Sequence, residues 1–297
     1  MSAPPPNSGS RLALWGLGVN AVLVLVKGAV GIVGNSAALV ADAIESAADV
    51  AGSMITWAGI RIAERPADEN HPYGHGKYEA LTALVVSAML VGAAVLITVE
   101  AIRQIITPHH TPEPYTLVVL VAVIIVKEVM ARIVARSAKQ SGSVAVASDA
   151  FHHRSDAITS AAAFVGILIA LWGGKGWERS DDIAALVAAV VIVVNAVLLA
   201  RPALAELLDT APDTALEAKV LAAAMAVSGV IDAHKCRVRK IGTDLWVDLH
   251  VHVDGEMNVR DSHALAHRVK DQIKQADARI RDALIHVEPA QTASPPA

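Results

Sequence analysis

The sequence predicts an all-α transmembrane domain of six helices, followed by a small α+β domain of α-β-β-α-β order. Three observations carry this. Six apolar runs lie between Leu12 and Arg201, each about 20 residues long, enough to cross roughly 30 Å of hydrocarbon. Only 18% of the 297 residues are charged, against about 25% in soluble domains, and the mean hydropathy is +0.47. After Arg201-Pro202 the composition changes, and Leu245 to Asp254 alternate strictly between apolar and polar side chains.

Residues 1–10 include Pro4, Pro5, Pro6, Asn7, Ser8, Gly9 and Ser10, can bury nothing, and read as a disordered lead. The apolar run from Leu12 is too long for a cleaved signal peptide. Helices are expected over 12–33, 39–62, 79–106, 115–138, 144–172 and 181–201, within a membrane domain spanning 11–205. Gly34-Asn35-Ser36, a polar loop over 63–78, the prolines Pro108, Pro112 and Pro114, Ser141-Gly142-Ser143 and Gly173 to Gly176 punctuate them. Arg61, Arg65, Lys77, Arg132, Arg136, Lys139 and Arg201 fall on one side of the membrane, and Arg103, Lys175 and Arg179 on the other. The positive-inside rule then puts both termini in the cytoplasm.

The second domain is expected over 206–290, with a tail at 291–297. Leu216 to Val227 is an apolar-periodic helical segment, followed by two strands. In the second strand Leu245, Val247, Leu249, Val251 and Val253 alternate with Trp246, Asp248, His250, His252 and Asp254, so one face is buried and one wet. Val259 to Ala276 reads as a helix and Ala283 to Val287 as a short strand. The order fits helices on one face of an antiparallel sheet, and a core this small invites dimerisation. The single cysteine, Cys236, excludes an internal disulfide and fits a reducing compartment. With a net charge of −4 and no basic patch, nothing points to nucleic acid.

One pattern is written twice in the apolar part: Asp42-x-x-Glu45-x-x-x-Asp49 and Asp149-x-x-His152-x-x-x-Asp156. Positions i, i+3 and i+7 share a helix face. Three uncompensated acids in one span would cost roughly 7–10 kcal/mol. A divalent cation held between two such strips offsets this, with Glu45, Asp49, His152 and Asp156 as ligands. A four-coordinate N/O shell suits Zn²⁺ and accepts Mn²⁺ or Fe²⁺, and without a thiolate Cu⁺ is disfavoured. The alternative is polar bonding between helices. Asp42 and Asp149 either support the ligands or an exit path, or answer the helix dipole. Asp68, His71 and His75 form a second donor cluster in the polar loop. His234, His250, His263, His286 and Glu288 are candidates in the soluble domain, with His252 on the same wet face as His250. His153 reads as structural, and His109 and His110 as solvated. No H-E-x-x-H motif occurs, which argues against an intramembrane metalloprotease, and no enzyme is expected.

Three stretches resemble the cation diffusion facilitator family. Asp149-Ala-Phe-His-His-Arg-Ser-Asp156-Ala-Ile-Thr-Ser160 looks like its fifth-span signature. His71-Pro-Tyr-Gly-His75-Gly-Lys-Tyr-Glu79 resembles its loop between the second and third spans. Ala41-Asp42-Ala-Ile-Glu45-Ser46-Ala-Ala-Asp49 resembles its second-span motif. The likeness runs over about residues 11–289. It implies a homodimeric exporter of divalent metal in exchange for protons, with a metallochaperone-like cytoplasmic domain; a bacterial cytoplasmic (inner) membrane is the simplest location to expect. It also implies transport ligands at Glu45, Asp49, His152 and Asp156, metal at the loop cluster, metal at His234, His250, His263, His286 and Glu288, and a dimer latch from Lys77 and Asp209. The family usually has His or Asp where this chain has Glu45. Zn²⁺ is the first expected cargo, and the oxygen-rich shell moves preference toward Mn²⁺ or Fe²⁺, with Co²⁺ and Cd²⁺ also carried by such sites. Three carboxylates around a 2+ ion leave a net −1. The rival to an exporter is a non-transporting regulatory or partner subunit of the same fold.

Overall fold

The computed structural model describes residues 8–107, 111–141, 144–173, 176–177, 179–211 and 213–290; the side chains of 8–15 and 137–155 stand outside that description. Six long helices come first: α1 (Ser8–Val33), α2 (Ala37–Ala63), α3 (Lys77–Ile106), α4 (Tyr115–Ser141), α5 (Val144–Trp172) and α6 (Ser180–Leu207). They are followed by α7 (Thr214–Met225), β1 (Asp232–Ile241), β2 (Asp244–Val253), α8 (Val259–Ala276) and β3 (Ile280–Pro289). The chain divides into two compact units, 1–56 with 85–199 and 57–84 with 200–297.

In the first unit the usual distribution of side chains is inverted. Leu25 is 72% exposed and Val118 70%, while Lys27, Asp42, Glu45, Lys127 and Asp156 are buried. Apolar outside and charged inside is stable when the surrounding solvent is hydrocarbon. Among the described residues, Gly16–Val33, Lys77–Ile106 and Ser180–Leu207 are long and apolar enough to cross a membrane. The helices meet through small side chains. Ala37, Ala41, Ala94, Ala101, Ala185 and Ala189 form one seam with Ile97 and Ile192, and Ala38, Leu39, Leu120, Ala163 and Ile167 form another. Small residues let backbones approach closely; a Cβ on Gly166 of α5 would lie 2.3 Å from Ala184 Cβ of α6. Asp181, at the start of α6, accepts from the backbone N–H of Ala37 and Ala38 and from Ser36 Oγ. It thereby satisfies the N–H groups that the first turn of α2 leaves without intrahelical partners.

The second unit draws residues 57–84 in with the C-terminal part, whereas the composition change placed a boundary near residue 206. Tyr73 packs edge-on against Trp246 at 5.3 Å between ring centroids. Lys77 pairs with Asp209 at 3.0 Å within the chain. A Cβ on Gly76 would come within 2.9 Å of the Ile241 carbonyl oxygen, so the loop and the β1–β2 turn meet where only glycine fits. The Gly242 N–H donates to Glu206 Oε1 at 2.7 Å.

The expected antiparallel sheet is corrected to a mixed one. The strand order is β1-β2-β3; β1 and β2 are antiparallel, but β2 and β3 are parallel. The reason is the helix between them: β2-α8-β3 is a crossover, which returns the chain in the same direction. β3 is also ten residues long, longer than the Ala283–Val287 run, because it pairs with β2 along its whole length. The core is Leu216, Val220 and Ala224 of α7, Leu265, Val269 and Ile273 of α8, and the inward residues of the sheet. Both helices bury i, i+4, i+8 positions.

β1 carries a bulge, with a register shift between His234 and Arg237, and Lys235 has φ +50. Three residues of β1 there oppose two of β2, which reverses the side-chain parity. His234 therefore stays on the wet face, while Val238 further along still reaches the core.

Candidate metal sites

α2 and α5 run antiparallel where they meet. Ser160 Oγ donates to the Asp42 carboxylate at 3.0 Å, and Ala38 and Leu39 pack with Ala163 and Ile167. One turn forward along α2 from Asp42 stands Glu45 and two turns forward Asp49, while one turn back along α5 from Ser160 stands Asp156, so the two strips face each other. The charges of Asp49, Asp42 and Asp156 all act on Glu45. Glu45 is 8% exposed and Asp156 7%, and Asp49 is half-buried. His152 lies one turn before Asp156 on α5; its side chain, like those of Asp149 and His153, lies outside the described residues. His109 and His110 lie outside them too.

Two buried cations also belong to this region, and the sequence reading passed over both. Lys27 of α1 is fully buried. It donates to Asp42 O at 2.9 Å and Ser46 Oγ at 2.6 Å and pairs with Asp42 Oδ2 at 3.0 Å, so all three ammonium protons have acceptors. Asp42 is thus held by a cation and a hydroxyl as a tie between α1, α2 and α5. Lys127 of α4, 1% exposed, pairs with Asp156 Oδ2 at 2.5 Å. The expected net −1 around a bound ion is corrected: with the Lys127 ammonium beside the three carboxylates, a divalent cation leaves the site neutral. The signal was present, because a lysine in mid-span is as costly as an acid.

The loop brings Asp68, His71 and His75 together, with ligand atoms all within 4.8 Å of one another. His71 Nδ1 lies 3.1 Å and His75 Nε2 3.4 Å from the Asp68 carboxylate. His75 Nδ1–H donates to Pro66 O at 3.2 Å, which leaves Nε2 as the free lone pair for a metal. The hydrogen bond from the His71 backbone N–H, with help from the His71 ring and the Asn70 N–H, lowers the Asp68 pKa against the opposing effect of desolvation. Its carboxylate is therefore the ionised, ligating form.

On the wet face of the sheet, six ligand-type side chains form two rows across three strands. His234, His250 and His286 occupy one register row, and Asp232, His252 and Glu288 the next. Glu288 sits among them, 2.8 Å from His250 Nδ1, 3.2 Å from His234 Nε2, 3.3 Å from His252 Nε2 and 3.5 Å from His286 Nε2. Its carboxyl is lowered first by the hydrogen bond from His250, with desolvation opposing and Lys235 and His234 adding. Two triads have metal-ligand spacing: His234, His250 and Glu288, and Asp232, His234 and His252. Asp232 and His252 were not among the expected ligands; His252 was visible as a wet-face residue, but Asp232 enters only through strand pairing. His263 is instead exposed on α8, its ring 4.6 Å from that of His267. Within one chain it therefore lies on the helix layer, on the opposite side of the sheet from the cluster.

These features define an integral membrane protein with buried carboxylates between its helices and clusters of ligand-type side chains in its second unit. Residues 13–208 match the family described as "Cation efflux transmembrane domain" and residues 212–290 that described as "Cation efflux protein, cytoplasmic domain". The chain belongs to the cation diffusion facilitator family of divalent-metal transporters. It is 31% identical to the manganese efflux system protein MneP of Bacillus subtilis, over 94% of this chain and 95% of that protein. It is 30% identical to the magnetosome protein MamB of Paramagnetospirillum magneticum, over 94% of each. A solved cadmium form of a MamM CTD variant matches at 26% identity and a TM-score of 0.26, covering 26% of this chain and 98% of that one.

Proposed function

We propose that this chain exports a divalent metal from the cytoplasm in exchange for protons, working as a homodimer with six membrane spans. It acts as a carrier, with no catalytic residues. The observation that carries this reading is the meeting of the α2 and α5 seams, where Glu45 and Asp49 face Asp156 in a charged interior. The ligand forms of carboxylate and imidazole are deprotonated, so loading a metal releases protons and re-protonation releases the metal. Both termini and the soluble domain lie in the cytoplasm of a bacterial cell, on the side favoured by the loop cations. The opposite side then holds the α1–α2 turn. A cavity there, lined by Asn35, Ser36, Glu100, Arg103 and Gln104, reaches Ile44, the neighbour of Glu45.

For the cargo, three carboxylates to one imidazole make an oxygen-rich shell, and hard oxygen ligands suit Mn²⁺ better than Zn²⁺. Similarity to a manganese efflux protein supports the same choice, so Mn²⁺ replaces Zn²⁺ as the first candidate. The loop triad and the sheet-face rows are cytoplasmic metal sites that report metal supply to the transporter. Exposed Leu284, on edge strand β3, leaves apolar surface for a second copy.

Proteoliposomes with the cytoplasmic face outward and an acidic lumen test the reading. Mn²⁺ flux inward that exceeds Zn²⁺ flux, and that collapses with the pH gradient, is the expected result. Absence of flux for Mn²⁺, Zn²⁺, Fe²⁺, Co²⁺ and Cd²⁺ alike would favour the partner-subunit reading.

A further inference from the structure

Building on the exporter reading, we infer that Lys127 is a tethered counter-cation that holds Asp156 until a divalent ion displaces it, and so sets both the valence and the release of the cargo. Lys127 comes from α4, which contributes none of the expected ligands, yet its ammonium lies 2.5 Å from a ligand oxygen. Its side chain is 2% exposed and that of Asp156 10%, so the pair is shielded from water and from mobile counter-ions. A buried carboxylate that stays ionised needs a positive partner whenever the metal is absent. A divalent ion bound at Asp156 repels the ammonium beside it, so loading the ion moves the Lys127 head aside, and unloading lets it return.

Charge counting gives the consequence. Glu45, Asp49 and Asp156 are balanced to net −2 by Lys127, equal and opposite to a divalent cation. Lys27 does not enter this count, because Asp42 neutralises it in a closed pair. The geometry thus separates a structural lysine, saturated by Asp42 and Ser46, from one that faces a transport ligand. Even at the dielectric of water, a unit charge about 4 Å from a divalent ion changes its affinity by more than tenfold. Lys127 therefore keeps the ion from being held too tightly, and its return to Asp156 helps to expel it.

The test compares Mn²⁺ flux in proteoliposomes for the wild-type chain, Lys127→Met and Lys127→Arg. Lys127→Met is expected to lower KM at least tenfold and to lower kcat with it, because the ion is bound more tightly and leaves more slowly. Lys127→Arg, which keeps the charge, retains a KM within about threefold of wild type. A role in packing alone would lower stability in both variants without this opposite movement of affinity and turnover. Wild-type flux with an unchanged or raised KM in Lys127→Met overturns the proposal alone; a wild-type chain without flux overturns the exporter reading and the proposal with it. Should the variants not fold, the Mn²⁺-loaded wild-type structure decides. Lys127 displaced from Asp156 upholds the proposal, and an intact Lys127–Asp156 contact beside a bound ion ends it.

Discussion

Asp49→Ala and Asp156→Ala each reduce metal flux to that of empty liposomes, but they differ in stability. Each removes one of the charged ligands of the proposed four-donor shell. Asp156→Ala also strands Lys127, whose ammonium is buried against it. Removing one partner of a buried ion pair costs about 3–5 kcal/mol, whereas replacing both by apolar groups is often neutral. Thermal unfolding in detergent should therefore show a large loss for Asp156→Ala and a recovery in Asp156→Ala/Lys127→Met. Flux stays absent in both. Transport by Asp49→Ala at the wild-type rate would remove α2 from the ion path.

Lys27→Met is expected to be the most destabilising single substitution outside the transport ligands. Asp42 would remain 4% exposed with only the Ser160 hydroxyl to hold it, at a cost of about 3–5 kcal/mol. The double substitution Lys27→Met/Asp42→Leu should restore most of that loss, because neither charge is then left alone in the interior. Unfolding midpoints of the two variants in the same detergent give the answer. Equal midpoints for Lys27→Met and the wild-type chain would mean that the pair contributes nothing to the fold.

Much of this architecture was legible in the residues. Helical periodicity put Asp42, Glu45 and Asp49 on one face, and apolar length located five helices to within a few residues; the sixth was expected to end at Arg201 but runs on through Pro202 to Leu207. α8 spans Val259–Ala276, as its amphipathic pattern indicated. Strict alternation marked β2, whose burial follows that pattern residue by residue. What stayed hidden depends on pairing between distant segments. Nothing local says that β3 pairs parallel with β2, so Asp232 and His252 could not be joined to Glu288 before strand register was known. The bulge at Lys235 was hidden for a similar reason, because one extra residue reverses parity without leaving a compositional mark. The lysines are a different case. Lys27 and Lys127 were plain to see in apolar runs, but only the helix packing pairs them with Asp42 and Asp156.

The central claim is that the facing seams of α2 and α5 hold the transported ion. Anomalous scattering from Mn²⁺-loaded protein tests it most directly. The expected result is an ion between these helices, held by oxygens of Glu45, Asp49 and Asp156. Ions found only at Asp68, His71 and His75, or only among His234, His250 and Glu288, would contradict it.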